Sequence, residues 1–445
     1  MPVPEPVCPF AGRALPGPAT PSAAVPLPEP MPLREPAPLP DPVPLSGRAY
    51  KRDPYPLYHR LREAGPVHRV RFPSGVAAWL VTGYAAARDA LTDPRLGKNH
   101  ALGNAAWRRR ASIMPEPQHS QLQVHLLHQD APRHTAMRDL LGDAFAPRRV
   151  AGLRPRFQQF ADRLVDALPA TGGADLVAGF AARFPFLVLA EVIGLPDELA
   201  ARFDRDWGKV VQPVGPEDPG RPAYEARLRA LQGYIAEVVS AKRTAPADGD
   251  LLARLVAAHD DGALTREELD SMVFQLLVAG QEPVTNQIST MLMTLFRHPG
   301  QLDRLRAEPA LLPRAVEELL RHDGAFELTT WRFFAEDSDL HGTRVPAGDS
   351  VIVSLAAAGR DGSQFPDADT LDLGRTPNAH LAFGHGAHFC PGAALARTEL
   401  QIALGTLLAR LPGLRPAGDL DAVEWIPADL ARGVDRLPVA YDRRL

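Results

Sequence analysis

Cys390 follows His380, His385 and His388 within the stretch HLAFGHGAHFCPGAALAR. Imidazole and thiolate are the usual ligands of zinc, so a metal site is the first chemistry these types suggest. A structural zinc takes four ligands, in patterns such as C-x2-4-C paired with H-x3-5-H. The chain has two cysteines, and Cys8 lies in a proline-rich leader, which leaves one thiol for any folded body. A three-ligand catalytic zinc would sit on a glycine-broken loop with no nearby carboxylate to orient its imidazoles. A nucleophilic thiol is the second possibility. It needs a base and an oxyanion hole, and the sequence signals neither.

A third reading uses every residue of the stretch. Gly384 and Gly386 let the backbone turn tightly and lie close to something flat and bulky. Pro391 suits the first turn of a helix, where a missing N–H costs nothing. GAALARTELQIALGTLLARL then continues as a long apolar helix, so Cys390 is expected at a helix N-terminus that favours its thiolate. One thiolate with no protein partner, beneath a close-packed glycine loop, suits an axial bond to haem iron.

FGHGAHFCPG resembles the haem-binding loop of the cytochrome P450 family, F-x-x-G-x-x-x-C-x-G, with Phe383, Gly386, Cys390 and Gly392 at the defining positions. The resemblance runs from about residue 48 to the C-terminus. It implies a mainly α fold with a minor β region, with haem b between a long central helix and the cysteine-loop helix. It also implies that Cys390 ligates the iron, with Phe383, Gly384 and Gly392 against the cofactor. Glu318 and Arg321, three apart and so on one helix face, resemble the family's E-x-x-R pair, with Arg375 as its third member. In HTAMR, His134 and Arg138 lie one turn apart and aim at one anion. The resemblance makes these two, with Arg332 and His388, the contacts to the haem propionates. LARGVDRLPV resembles the family's final hairpin, whose tip near Leu430 to Gly433 would line the substrate pocket.

One motif departs from the family. Its central helix carries A-G-x-E/D-T, where acid and threonine relay protons to oxygen. Here Ala279, Gly280 and Glu282 match, but Pro283 stands at the threonine position, and the next hydroxyl is Thr285. Proline cannot donate to the carbonyl four residues back and crowds it. Three outcomes are open: monooxygenation with water, substrate or Thr285 completing the relay; oxidative C–C, C–N or C–O coupling of aromatic or peptide-derived substrates without net oxygen insertion; or a degenerate haem-binding sensor without turnover.

The elements that must position these residues can be read from periodicity. VHRVRF and AAWLVTG are expected as strands across a PSG turn. YAAARDALTDPRL is a helix stopped at Asp93-Pro94. Helical periodicity dominates from about 131 to 320, and strands return in ELTTWRFFAED and SVIVSLAAA. Residues 1–45 hold 16 of the 46 prolines and are expected to be extended, polyproline-like or disordered. Residues 46–445 are expected to form a single domain. Arg108, Arg109 and Arg110 form a basic run near the pocket, and VVQPVGPEDPGRP reads as a loop over its entrance.

A net charge of −4 does not suggest nucleic-acid binding. No apolar run is long enough to span a bilayer, and the first residues lack the basic start and apolar core of a secretory signal. With no disulfide framework, a cytoplasmic setting is expected. No flavin or nicotinamide fingerprint appears. The resemblance therefore implies a ferredoxin and its reductase as electron donors, alongside dioxygen and a small-molecule substrate, with Arg148 and Arg149 as candidate docking charges.

Overall fold

The computed structural model describes residues 39–111, 122–204, 207, 210, 214, 218–245 and 250–445. The leader 1–38, Cys8 within it, and residues 211–213 and 215–217 of the entrance loop lie outside the described residues. The expected boundary at residue 46 falls inside the fold. Val43–Pro44 pairs in parallel with Val70–Arg71, and Val43 and Leu45 are buried. These two residues alternate about a proline and present one apolar edge, which the proline count had masked.

Helices make most of the structure, with one larger sheet at one side. Across that sheet the strands run Val43–Pro44, Val67–Arg71, Ala77–Val81, Ser350–Val353, Arg332–Phe334 and Leu96–Gly97. The turn Phe72–Val76 sets the register of the expected hairpin, pairing Arg69 with Trp79 and Val70 with Ala78. Val70, Ala78 and Leu80 therefore enter the core, while Arg69 and Arg71 face out, as a two-residue period requires. SVIVSLAAA splits into two elements. Its strand ends at Val353, and Leu355–Gly359 is helical because the Ser354 hydroxyl caps the Ala357 N–H. A second sheet joins Thr171–Asp175 to the C-terminal strand Pro438–Arg443; the glycines of TGGAD hid the first of these from pattern reading.

The expected long central helix is two helices, Arg266–Ala279 and Glu282–Arg297. Thr265 and Glu268 start the first with a capping box. Gly280 and Gln281 break it. The Gln281 N–H reaches back only three residues, to Val278, and the Gln281 side-chain amide donates to the Ala182 carbonyl at 3.1 Å. Pro283 then lies in the first turn of the second helix, where its missing N–H costs no hydrogen bond within that helix. The break places proline at a helix start, where it is tolerated, rather than inside a helix, where it would cost about 3 kcal/mol.

The brace behind the cysteine loop is fully buried. Both Glu318 oxygens accept from Arg321 at 2.7 Å, and Arg375 Nε donates to the same carboxylate at 3.1 Å. Arg321 donates in addition to the carbonyls of Gly359 and Ala368 at 2.6 and 2.7 Å. The pair thus ties the helix Leu312–His322 to the segment that leads into the cysteine loop.

Candidate active site

The cysteine loop is built by its own backbone. Gly384 and Gly386 have φ of 75° and 76°, the left-handed region where glycine carries no penalty. A side chain on Gly386 would also place Cβ 2.9 Å from the Leu91 carbonyl. The Cys390 N–H donates to the Phe383 carbonyl at 2.9 Å, which closes the loop. Arg397 lies 4.4 Å over the Phe383 ring and pairs with Glu317. The helix that follows begins at Ala393 with Gly392 as its cap, so Pro391 stands before the first turn instead of opening it. The expected lowering of the thiol pKa is also reversed. Burial pushes the Cys390 thiol up, against a backbone hydrogen bond from Gly392 and the charges of Arg138 and Arg397. Such a sulfur becomes a thiolate when a bound metal cation replaces the proton.

Cys390 lines a largely apolar cavity of about 300 Å³. Leu276, Ala279, Gly280, Pro283 and Val284 form one wall, and Phe383, Leu395 and Ala396 another. One edge is lined by buried basic groups. Burial, then Arg332, holds Lys98 well below the ordinary lysine range. Lys98 is buried and donates to the Thr330 hydroxyl and, at 2.7 Å, to the Trp331 carbonyl. Arg332 is 5% exposed and its Nε has no partner among the described residues; burial pushes it down to about 10. His134 packs against His388 with ring centroids 4.1 Å apart and the rings tilted, and its Nε2 is likewise buried without a partner among the described residues. Burial, then the neighbouring cations, lowers His388 to about 2. Burial and Arg138 lower His134. The neutral form is thus favoured at both imidazoles, whereas the sequence had paired His134 with Arg138 as cations. Arg138 donates to the Ala387 carbonyl at 3.2 Å.

Unpartnered buried donors cost free energy unless a ligand satisfies them, and buried cations want an anion. A flat group with an iron centre and carboxylates along one edge meets both needs, so these residues fit a haem. They do not fit zinc. Among the described residues no group of three or more histidine, cysteine or acidic side chains is placed to hold a metal ion. His380 is engaged elsewhere, with Glu317 at 3.1 Å.

Several expected positions fall away from the cavity. Glu282, Thr285, His134 and Arg138 are not on its wall; His134 sits behind His388, and the Thr285 hydroxyl donates to the Gln281 carbonyl at 3.1 Å. The tip Leu430 to Gly433 does not line it either. Arg432 turns inward, 1% exposed, to Asp323 and the Lys51 carbonyl. In their place the cavity presents polar groups that pattern reading passed over: Lys98, Gln275, Gln287 and Glu399. Gln287 is occupied, accepting from the Ala325 N–H at 2.7 Å. Glu399 is 1% exposed, with Oε1 unpartnered among the described residues. Burial alone holds its carboxyl well above the ordinary carboxylate range.

Comparison with known proteins accounts for this arrangement. The family profile for cytochrome P450 matches residues 221–412. Cytochrome P450 monooxygenase PikC of Streptomyces venezuelae is 43% identical over 390 residues, covering 87% of this chain and 90% of that protein. A myxobacterial cytochrome P450, CYP267B1, solved in complex with myristic acid, superposes with a TM-score of 0.85 at 38% identity, over 89% of this chain and 98% of that one. CxnD, a cytochrome P450 enzyme for C–S bond formation in chuangxinmycin biosynthesis, superposes with a TM-score of 0.81 at 36% identity, over 88% and 95%. The family implies haem iron with thiolate ligation, a redox partner and an organic substrate. No helix among the described residues is long and apolar enough to cross a membrane. A cavity walled by one thiol and edged by unpartnered donors, on this fold and at these identities, has one explanation: the chain belongs to the cytochrome P450 family and is an oxidoreductase of its monooxygenase class.

Proposed function

We propose that the enzyme holds haem b through Cys390 and uses dioxygen to hydroxylate or epoxidise an apolar small molecule in specialised-metabolite biosynthesis. The observation that carries this reading is the cavity, with one thiol in its wall, cationic and neutral donors at one edge, and mostly hydrocarbon elsewhere. When bound, the haem supplies the oxidising centre; the chain supplies position and dryness. His134, Arg138, Arg332 and His388 hold the propionates, with Lys98 beside them. Leu126, Leu127, Leu276, Val284 and Phe326 exclude water. Gln275 lies one turn before Ala279 and lines the same cavity, where its amide orients a polar group of the substrate. Electrons come from a ferredoxin and its reductase in the cytoplasm. That partner docks where Phe389, next to Cys390, is 38% exposed. Residues 40–445 act as one P450 domain.

Arg332→Gln removes a buried donor that has no protein partner. Haem should pass to apomyoglobin about tenfold faster or more, while the apoprotein keeps its stability. An unchanged transfer rate would remove Arg332 from the propionate contacts.

Protons must reach the face of the haem opposite Cys390. Glu399 stands on the cysteine-loop helix, the thiolate's side, and is not their source. On the central-helix side Thr285 spends its hydroxyl on the backbone, Glu282 lies off the cavity wall, and Pro283 has no proton to give, so water or a substrate hydroxyl completes the relay. Pro283→Thr should lower peroxide per electron pair and raise product, by about tenfold or more. Unchanged coupling would dismiss the altered relay.

Pro283, as a departure from the family relay, leaves room for a second reading, oxidative coupling without net oxygen insertion, in which both oxygen atoms leave as water and the second takes hydrogen from the substrates. Turnover under 18O2 separates the two: label in the product supports monooxygenation, and label in water alone supports coupling. A sensor would show no turnover, even with a surrogate electron donor.

A further inference from the structure

We propose that a second pocket, between the hairpin Val67–Val81 and the helix Ala105–Ala111, binds the carboxylate or phosphate group of a small molecule. The basic run Arg108–Arg110 leads to it. Arg110 reaches from the helix to the hairpin turn and donates to the Gly75 carbonyl at 2.9 Å. Across from it the two-residue period of the strand puts Arg69 and Arg71 on the outward face. Arg69 lies 6.0 Å over the Trp79 ring, which orients its guanidinium plane. Together these residues enclose about 380 Å³, within the range of small-molecule sites.

The charge inside is unbalanced. Three guanidiniums face one carboxylate, Asp349. Asp349 is already engaged, accepting from Trp79 Nε1 at 3.1 Å and from Asn104 Nδ2 at 2.8 Å. None of the three arginines forms an ion pair among the described residues. Trp107, 3% exposed, also lines the pocket, and its indole N–H has no partner among those residues. Planar guanidinium forks match carboxylate and phosphate oxygens two at a time. The pocket is separate from the cavity at Cys390. Trp107 packs on Phe333 and Trp331, with centroids 4.7 and 6.1 Å away, and forms a wall between the two spaces.

The test uses the haem-loaded protein in its ferrous carbon-monoxide form, labelled with 5-fluorotryptophan at its five tryptophans. Inorganic phosphate is titrated against chloride at fixed ionic strength, and 19F resonances are assigned by single Trp→Phe substitutions. The Trp79 and Trp107 signals should shift and saturate, while Trp207 and Trp425 stay still. In the R69Q/R71Q double variant the dissociation constant should rise at least about tenfold, with the carbon-monoxide spectrum unchanged as proof of folding. Shifts that fail to saturate, or that persist with equal affinity in the double variant, would overturn the site. Because the readout is not turnover, its failure leaves the oxidase reading untouched.

Discussion

Cys390→Ser protein, reduced and exposed to carbon monoxide, is expected to lack the strongly red-shifted band of thiolate-ligated ferrous haem, and to oxidise no substrate above the enzyme-free rate. The cavity wall sets this expectation. Cys390 is the one thiol of the folded body, and no cluster of other metal ligands stands nearby among the described residues. The backbone fixes it there through the Phe383 carbonyl and two glycines at positive φ. A serine hydroxyl fills nearly the same space but does not give up its proton at neutral pH, so the strong donor to iron is lost. The fold should survive, because the loop is closed by main-chain bonds that serine leaves intact. Far-ultraviolet circular dichroism checks that directly. A wild-type protein that takes up no haem when haem is supplied would sink the assignment, as would a variant that keeps the band.

The second large effect is expected at Glu318. Its carboxylate accepts from Arg321, Arg375, Asn378 and the Asp372 N–H, with its side chain wholly buried. Glu318→Ala leaves Arg321 buried with its charge uncompensated, a change that typically costs about 3–5 kcal/mol. The urea midpoint of the holoprotein should fall accordingly, and haem should be lost on standing because the cysteine-loop approach is no longer braced. Glu318→Gln keeps one acceptor and should fall between the two proteins. A loss below about 1 kcal/mol in the alanine variant would mean the guanidinium had found water, and that the pair behaves like a surface bridge.

Some of the site was written locally. The cysteine loop lies within ten residues of sequence, and its glycines, proline and single thiol each have a backbone or bonding reason that needs no distant neighbour. The hairpin at 67–81 was legible for the same reason, since period and turn are local properties. The central helix was harder. Its composition is helical throughout, and only Pro283 hinted at a break. The break itself is held by Gln281 reaching the Ala182 carbonyl, 99 residues away.

Other residues carried no local signal. Glu399 sits in an apolar helix where a single acid looks like an ordinary solvated position, and only packing against the cavity made it a neutral acid. Lys98 gained its place beside Arg332 through contacts more than 230 residues distant in sequence. Arg432 looked like the tip of a pocket hairpin and became a buried partner of Asp323. The amino-acid sequence by itself determined the family and the mainly helical fold, and singled out Cys390 as the candidate ligand, because these rest on residue chemistry and short-range periodicity. The neutral buried acid at Glu399, the basic edge and the second pocket depend on the tertiary structure. Charge state and hydrogen-bonding capacity depend on which groups share a desolvated space, and only the folded chain defines that space.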